Sequence, residues 1–211
     1  RWISAPGWGL AERHAIAGLG PRRLALCETP DLDLLVERFA PRADAIFRAG
    51  LELGVMHQGL AALAWLVRAG LLRSLLPLTR PLLALARLLA PFGTDRGGME
   101  VAVIAEEADG VVRRRCWTLV AEAGDGPFVP TLPALAALLG LANGSLAFRG
   151  AAPCVGVLDY DRIAATFAPH RITTTIAAQD MPAPLVQRML GAEYDRLPLA
   201  IRAGHAVAPF L

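Results

Sequence analysis

Between Leu53 and Pro91 the sequence is intensely apolar, yet Arg68, Arg73, Arg80 and Arg87 cut it into short uncharged runs. A helix that crosses a bilayer needs about 20 consecutive apolar residues, and these runs are too short. The stretch from Gly126 to Phe148 carries no charge, but Pro127, Pro130, Pro133 and Gly144 break it. A chain so patterned is expected to bury the apolar faces of short elements in water rather than to span lipid. Helical spacing runs over 51–69, Gly70 interrupts it, and a further helical stretch continues to about Ala90, where Pro77 and Pro81 kink or split it. Apolar residues make up 55% of the chain, and much of that is Ala and Leu, which favour helix.

Around this helical segment the punctuation marks out strands. Residues 22–28 read as a strand, and a helix follows from Asp31 to Phe39 with Thr29 or Asp31 as its cap. Residues 43–49 read as a second strand, ended by Gly50. After a Gly-rich loop at 92–99, residues 100–106 and 113–123 form the clearest hairpin, turned by Ala108-Asp109-Gly110. A helix is expected over 131–142, capped by Thr131 and stopped by Asn143-Gly144. Residues 154–158 read as a strand, 159–167 as a short helix and 171–178 as a Thr-rich strand. Met181-Pro182-Ala183-Pro184 reads as a linker before a last helical stretch from Leu185. Hairpin-joined strands interrupted by helices predict an α+β fold: a largely antiparallel sheet with helices on one face and an apolar helical insert at 51–91.

The formal charge is +2, so electrostatics does not call for nucleic acid. All 21 basic residues are arginine, which excludes lysine Schiff-base or lysine acid–base chemistry from this chain. Cys27, Cys116 and Cys154 are few, odd in number and widely spaced, which fits a reducing compartment and points to the cytoplasm. His14, His57, His170 and His205 show no metal-ligand spacing to one another or to the cysteines, so no metal is expected. His57, inside an apolar helix, is expected to be packed and hydrogen-bonded. None of the serines sits in a nucleophile elbow. Three glycine pairs, Gly7-Trp8-Gly9, Gly18-Leu19-Gly20 and Gly124-Asp125-Gly126, lack the third glycine of a dinucleotide fingerprint: Glu12, Arg23 and Val129 stand in its place.

Two features carry functional weight. Arg73, Arg80 and Arg87 recur every seven residues and give a basic stripe. It is either a solvent-facing stripe over a packed core or a helix lying peripherally on a membrane surface. The second feature is a pair of unusual loops, 93–99 and 124–133, which flank the hairpin and are expected at one rim of the sheet. Permissive glycine and rigid proline beside polar groups suit a shaped, ligand-facing loop ahead of a helix. The residues so singled out are Asp125, Gly126, Pro127 and Thr131, and then Arg96, Gly97 and Gly98.

The residue order GTDRGGMEVAVIAE, WTLVAEAGDGPFVPTLPALAALL and NGSLAFRGAAPCVGVL, within 93–158, resembles the C-terminal half of saccharopine-dehydrogenase-like oxidoreductases. PDLDLL (30–35), FRAGLEL (47–53) and LAWLVRAGLL (63–72) resemble the same group. From Leu185 the sequence is similar to the opening of an uncharacterised domain that follows such reductases. The resemblance implies that residues 1–180 are a substrate-side and dimerisation domain, with 185–211 the start of a following helical segment. It further implies that NAD(P) is bound mainly by an N-terminal nucleotide-binding domain outside this chain, and that the chain alone is inactive. In that setting Asp125, Gly126, Pro127 and Thr131 belong to the loop that faces the cofactor domain. No catalytic residue is identified by the resemblance. The apolar insert at 51–91 departs from the family pattern and makes a hydrophobic substrate as plausible as an amino acid. A homodimer and a lipid or membrane-surface contact through 51–91 are further expectations. The alternative is a non-enzymatic, membrane-surface or lipid-associated scaffold on the same fold. The chain opens at Arg1 without an initiator methionine and is expected to be a portion of a larger protein.

Overall fold

The computed structural model of the chain describes residues 7–41, 44–109, 111–182, 185–198 and 201–202. The fold is α+β, with two three-stranded antiparallel sheets. The described residues group into two compact units. The first holds the chain up to Met99 together with Leu119–Thr174, and the second holds Glu100–Thr118 together with the chain from Thr175 onward.

In the first unit, β1 (Glu12–Ile16) and β2 (Gly20–Leu26) form a hairpin in which Glu12 faces Leu24 and Ile16 faces Gly20. The sequence reading did not anticipate β1. The pair Gly18 and Gly20 lies at φ 80° and 74°, a left-handed backbone that glycine adopts without steric cost. This glycine pair is thus a hairpin turn. The other edge of β2 receives β3 (Arg48–Ala49), with Ala25 opposite Ala49. Strand structure over 43–49 is therefore only its last two residues, and Ala43 lies outside the described residues.

Helix α1 spans Asp31–Phe39, but neither Thr29 nor Asp31 caps it. Pro30 holds the cap position in helical conformation, and the Thr29 hydroxyl instead donates to the Asp31 carboxylate at 3.0 Å. Helix α2 spans Gly54–Arg68 and ends ahead of Gly70, whose φ is 73°. A 3₁₀ turn at Leu76–Leu78 leads into α3 (Thr79–Leu89), so the prolines divide the stretch as their ring chemistry demands. Pro81 falls in the first turn of α3, where the missing N–H has no helical acceptor to lose. No helix among the described residues is long and apolar enough to cross a membrane.

The long hairpin consists of β4 (Gly97–Glu106) and β5 (Val112–Ala121), and β6 (Ile172–Asp180) pairs with the far side of β5. Gly110 of its turn lies outside the described residues, and Val111 N–H is held by the Asp109 carboxylate at 3.0 Å. Toward its end β5 is the best-buried strand: Cys116, Thr118, Leu119 and Ala121 are all buried. Helix α4 (Leu132–Ala142) contributes Leu132, Ala136 and Gly140, spaced every four residues along one face. Residues 154–158 are not a strand. Gly156 at φ 77° turns the chain there, leaving a single bridge between Val155 and Leu158. Helix α5 (Tyr160–Ala164) follows, and here a cap is made: the Asp159 carboxylate accepts the Arg162 N–H at 2.9 Å.

In the second unit, Arg113 on β5 reaches three carboxylates, Glu107 and Asp180 at 2.8 Å and Asp109 at 2.7 Å. Arg114 pairs with Glu100 at 2.8 Å and Arg115 with Glu107 at 2.6 Å. These cross-strand ion pairs hold the register of a hairpin end whose valines, Val101 and Val103, are exposed. Helix α6 (Leu185–Leu190) runs into a 3₁₀ turn at Gly191–Arg196, where Tyr194 is buried and its hydroxyl donates to the Arg202 carbonyl at 3.1 Å. Ala183 and Pro184 of the linker, and the chain's two ends, lie outside the described residues.

Candidate functional site

The two unusual loops meet in the first unit. The Gly124 N–H donates to the Asp95 carbonyl at 3.0 Å. Gly97 and Gly126 approach so closely that a Cβ on either would lie 4.0 Å from the other's Cα. The two loops thus meet at Asp95, Gly97, Gly124 and Gly126, and the bonds made by the other residues singled out from the sequence differ.

Arg96 is exposed, yet its guanidinium is bonded. Its Nη2 donates to the Gly18 carbonyl at 2.9 Å and pairs with Glu122 at 2.8 Å. One guanidinium thus ties the β1–β2 turn to the end of β5. Ahead of it, Thr94 donates its N–H and its hydroxyl to Glu52, both at 2.7 Å, and Arg22 approaches the same carboxylate at 3.3 Å. The two Thr94 bonds, with Arg22 and Arg96 nearby, hold the Glu52 carboxyl below its ordinary pKa. Gly97 and Gly98 are not loop but the first residues of β4. A Cβ at Gly98 would stand 2.5 Å from the Leu119 carbonyl and 2.7 Å from Leu19 Cδ1. Glycine is needed there for backbone approach.

On the facing loop, Asp125 precedes a 3₁₀ helix, Gly126–Thr131, with Pro127 at its start. Its Oδ2 accepts the Arg171 backbone N–H at 2.7 Å, and its Oδ1 lies 3.3 Å from His170 Nδ1. A carboxylate can only accept, so Nδ1 is the donor in this contact and Nε2 takes no part in it. The Arg171 N–H first, then His170, hold the Asp125 carboxyl below its ordinary pKa. Phe128 stacks on the His170 ring with centroids 5.4 Å apart. Sequence reasoning missed His170, because its partner is 45 residues away. The only cue was a lone histidine immediately before a Thr-rich strand.

Thr131 does not cap α4. It sits in helical backbone conformation, φ −92° and ψ −18°, and its hydroxyl donates back to the Phe128 carbonyl at 2.7 Å. A capping side chain needs extended backbone to reach the free N–H groups, and the preceding 3₁₀ turn removes that option. Pro127 and Thr131 are exposed, whereas Asp125, Gly126 and Gly97 are half-buried.

His57, also singled out in the sequence, is buried at 1% exposure and packs beside Trp8 with ring centroids 5.1 Å apart. The expectation of a hydrogen-bonded ring is corrected: neither ring nitrogen has a partner among the described residues. The bond at this contact runs through the backbone, from Trp8 Nε1 to the His57 carbonyl at 3.1 Å. Burial, with help from Arg23, holds the imidazole below its ordinary pKa. His205 lies outside the described residues, and no group of metal ligands occurs among those described.

The glycine pairs offer no pyrophosphate cradle. Gly18-Leu19-Gly20 is a hairpin turn, and Gly124-Asp125-Gly126 leads into a 3₁₀ helix whose second residue, Pro127, has no N–H. Gly7-Trp8-Gly9 lies in a turn before β1, and its Trp8 N–H donates to the Leu26 carbonyl at 2.8 Å. A nucleotide-binding helix N-terminus requires a ring of free N–H groups, which these segments do not supply. No family model matches the chain, and neither a curated protein nor a solved structure similar to it was found.

Proposed function

We propose that this chain is the substrate-side portion of an NAD(P)-dependent oxidoreductase of the saccharopine-dehydrogenase-like kind, inactive alone. The nucleotide would be held mainly by a separate nucleotide-binding domain, since the glycine pairs here do not fit it. What supports this reading is the meeting of the 93–98 and 124–131 segments at one rim, through Gly124 and Asp95 and through Gly97 and Gly126. The resemblance makes the second of these loops the one that faces the cofactor domain, and the sequence singles out both as ligand-facing.

The chain's own contribution would be to position substrate and to hold a proton. Asp125 fixes the His170 ring through Nδ1, which leaves Nε2 for a substrate group. A carboxylate-oriented imidazole is a common acid–base device. Asp125 itself is engaged with Arg171 N–H, so its part is to orient the ring rather than to touch substrate.

The test uses the full-length protein. His170→Gln should lower kcat/KM for NAD(P)H-dependent turnover at least about tenfold with melting unchanged. Asp125→Asn should give a smaller loss of kcat/KM together with some loss of stability, and Thr131→Val should leave kinetics intact. Calorimetry on residues 1–211 should give no saturable NADPH or NADH binding. Unchanged kinetics in both His170→Gln and Asp125→Asn, or micromolar nucleotide binding by the isolated chain, would overturn the reading.

A further inference from the structure

From Leu53 to Thr94 the chain contains no carboxylate side chain, and its only charged groups are four arginines. Along α3, Arg80 and the residues i+3, i+4, i+7 and i+8 from it, Leu83, Ala84, Arg87 and Leu88, are all exposed. The opposite face, Leu82, Ala86 and Leu89, is the half-buried one. The solvent face of this helix is therefore arginine interleaved with leucine. A second 3₁₀ turn, Ala90–Phe92, follows α3, and the two flanking turns add Leu76, which is 82% exposed, and Phe92, at 75%. Among the described residues, no ion pair engages Arg73, Arg80 or Arg87.

We propose that the exposed face of α3, with its two flanking turns, docks onto an anionic lipid bilayer. A face meant only for solvent needs charges of both signs and few large apolar groups. This face has one sign of charge and leucines that water does not favour. Arginine stems can lie along the leucines while the guanidiniums reach lipid phosphates, so charge and apolar groups bind the same surface together. The sign of the charge selects the occupant: a face with arginines and no carboxylates fits acidic headgroups, and it would repel a second copy of itself. The helix is too short to enter the bilayer other than in its plane. This assignment stands independently of the reductase reading.

Flotation of the full chain with vesicles tests it. The chain should float with vesicles of phosphatidylcholine mixed with phosphatidylserine, should stay behind with phosphatidylcholine alone, and should be released by salt. Changing Arg73, Arg80 and Arg87 together to Gln should weaken binding about a hundredfold, at roughly fivefold for each arginine near an anionic surface. Leu88→Ser with Phe92→Ser should weaken binding and leave its salt dependence in place. Circular dichroism should show all variants folded, since every changed side chain is exposed. The proposal is overturned if the folded chain ignores acidic vesicles, or if the arginine variant binds as well as the parent. It is equally overturned if Leu88→Ser with Phe92→Ser abolishes a concentration-dependent dimer in solution while vesicle binding is absent, which would assign the face to another copy.

Discussion

The rim around Asp125 and the α3 face are both made of apolar residues punctuated by polar groups, yet their polar groups have opposite fates. At the rim, Arg96 bonds Glu122 and the Gly18 carbonyl 78 residues away, and Asp125 bonds His170 and the Arg171 N–H. On α3, Arg80 and Arg87 share an exposed face with Leu83, Ala84 and Leu88. Internal pairing fixes geometry, which is what orienting a ring or a substrate requires. An unpaired, one-sign face instead remains responsive to whatever surface meets it.

The comparison can be broken by mutation. The largest effect is expected in the core behind the rim: Leu119, 1% exposed, changed to Ala should cost about 2–5 kcal/mol by denaturant unfolding. Leu88→Ala on α3 should stay within about 0.5 kcal/mol. If the two losses were similar, the contrast between packed rim and open face would be wrong.

Gly98→Ala should come next, at about 1–3 kcal/mol, because the new methyl must displace the Leu119 carbonyl or Leu19. Thermal melting that is unaffected by this change would place β4 differently from the register described.

A pH scan separates the regions more gently. The Asp125 carboxyl is held below its ordinary value, so its folded pKa lies under its unfolded one. Its stabilisation is present above the unfolded value, about 3.9, and is lost as pH falls through the lower folded value. Parent protein should therefore melt above Asp125→Asn at neutral pH, and the two curves should converge in acid. A difference in melting that persisted unchanged at the acid end would mean that the carboxylate charge is not what Arg171 and His170 recognise. The smallest effect belongs to Arg73, Arg80 and Arg87: changed together to Gln, they should leave stability within about 0.5 kcal/mol per site.

The elements that could be read from the sequence are those whose signals are local. The β4–β5 hairpin follows from strand-forming residues on either side of an Asp-Gly turn, and α1, α2 and α4 from helical spacing closed by turn residues. The β1–β2 hairpin was invisible because Ala15, Ile16 and Ala17 give little alternation and the Gly18 and Gly20 turn looked like a failed phosphate loop. A strand over 154–158 was expected because the flanking residues are apolar, and Gly156 in left-handed conformation defeats it. Thr131 as a cap failed for a similar reason, since a 3₁₀ turn had already put its backbone into helix.

By itself the sequence determined the α+β class, the absence of a bilayer-length apolar run, the seven-residue spacing of the arginines and the two glycine- and proline-rich loops. Each is a property of neighbours along the chain, where period and turn chemistry act over a few residues. Only the tertiary structure brought Gly124 to Asp95, Arg96 to the β1–β2 turn, and His170 to Asp125. Those meetings depend on which strand pairs with which and in what register, and that is set by the joint burial of Ala25, Leu119, Ala121 and Leu132 rather than by any local pattern.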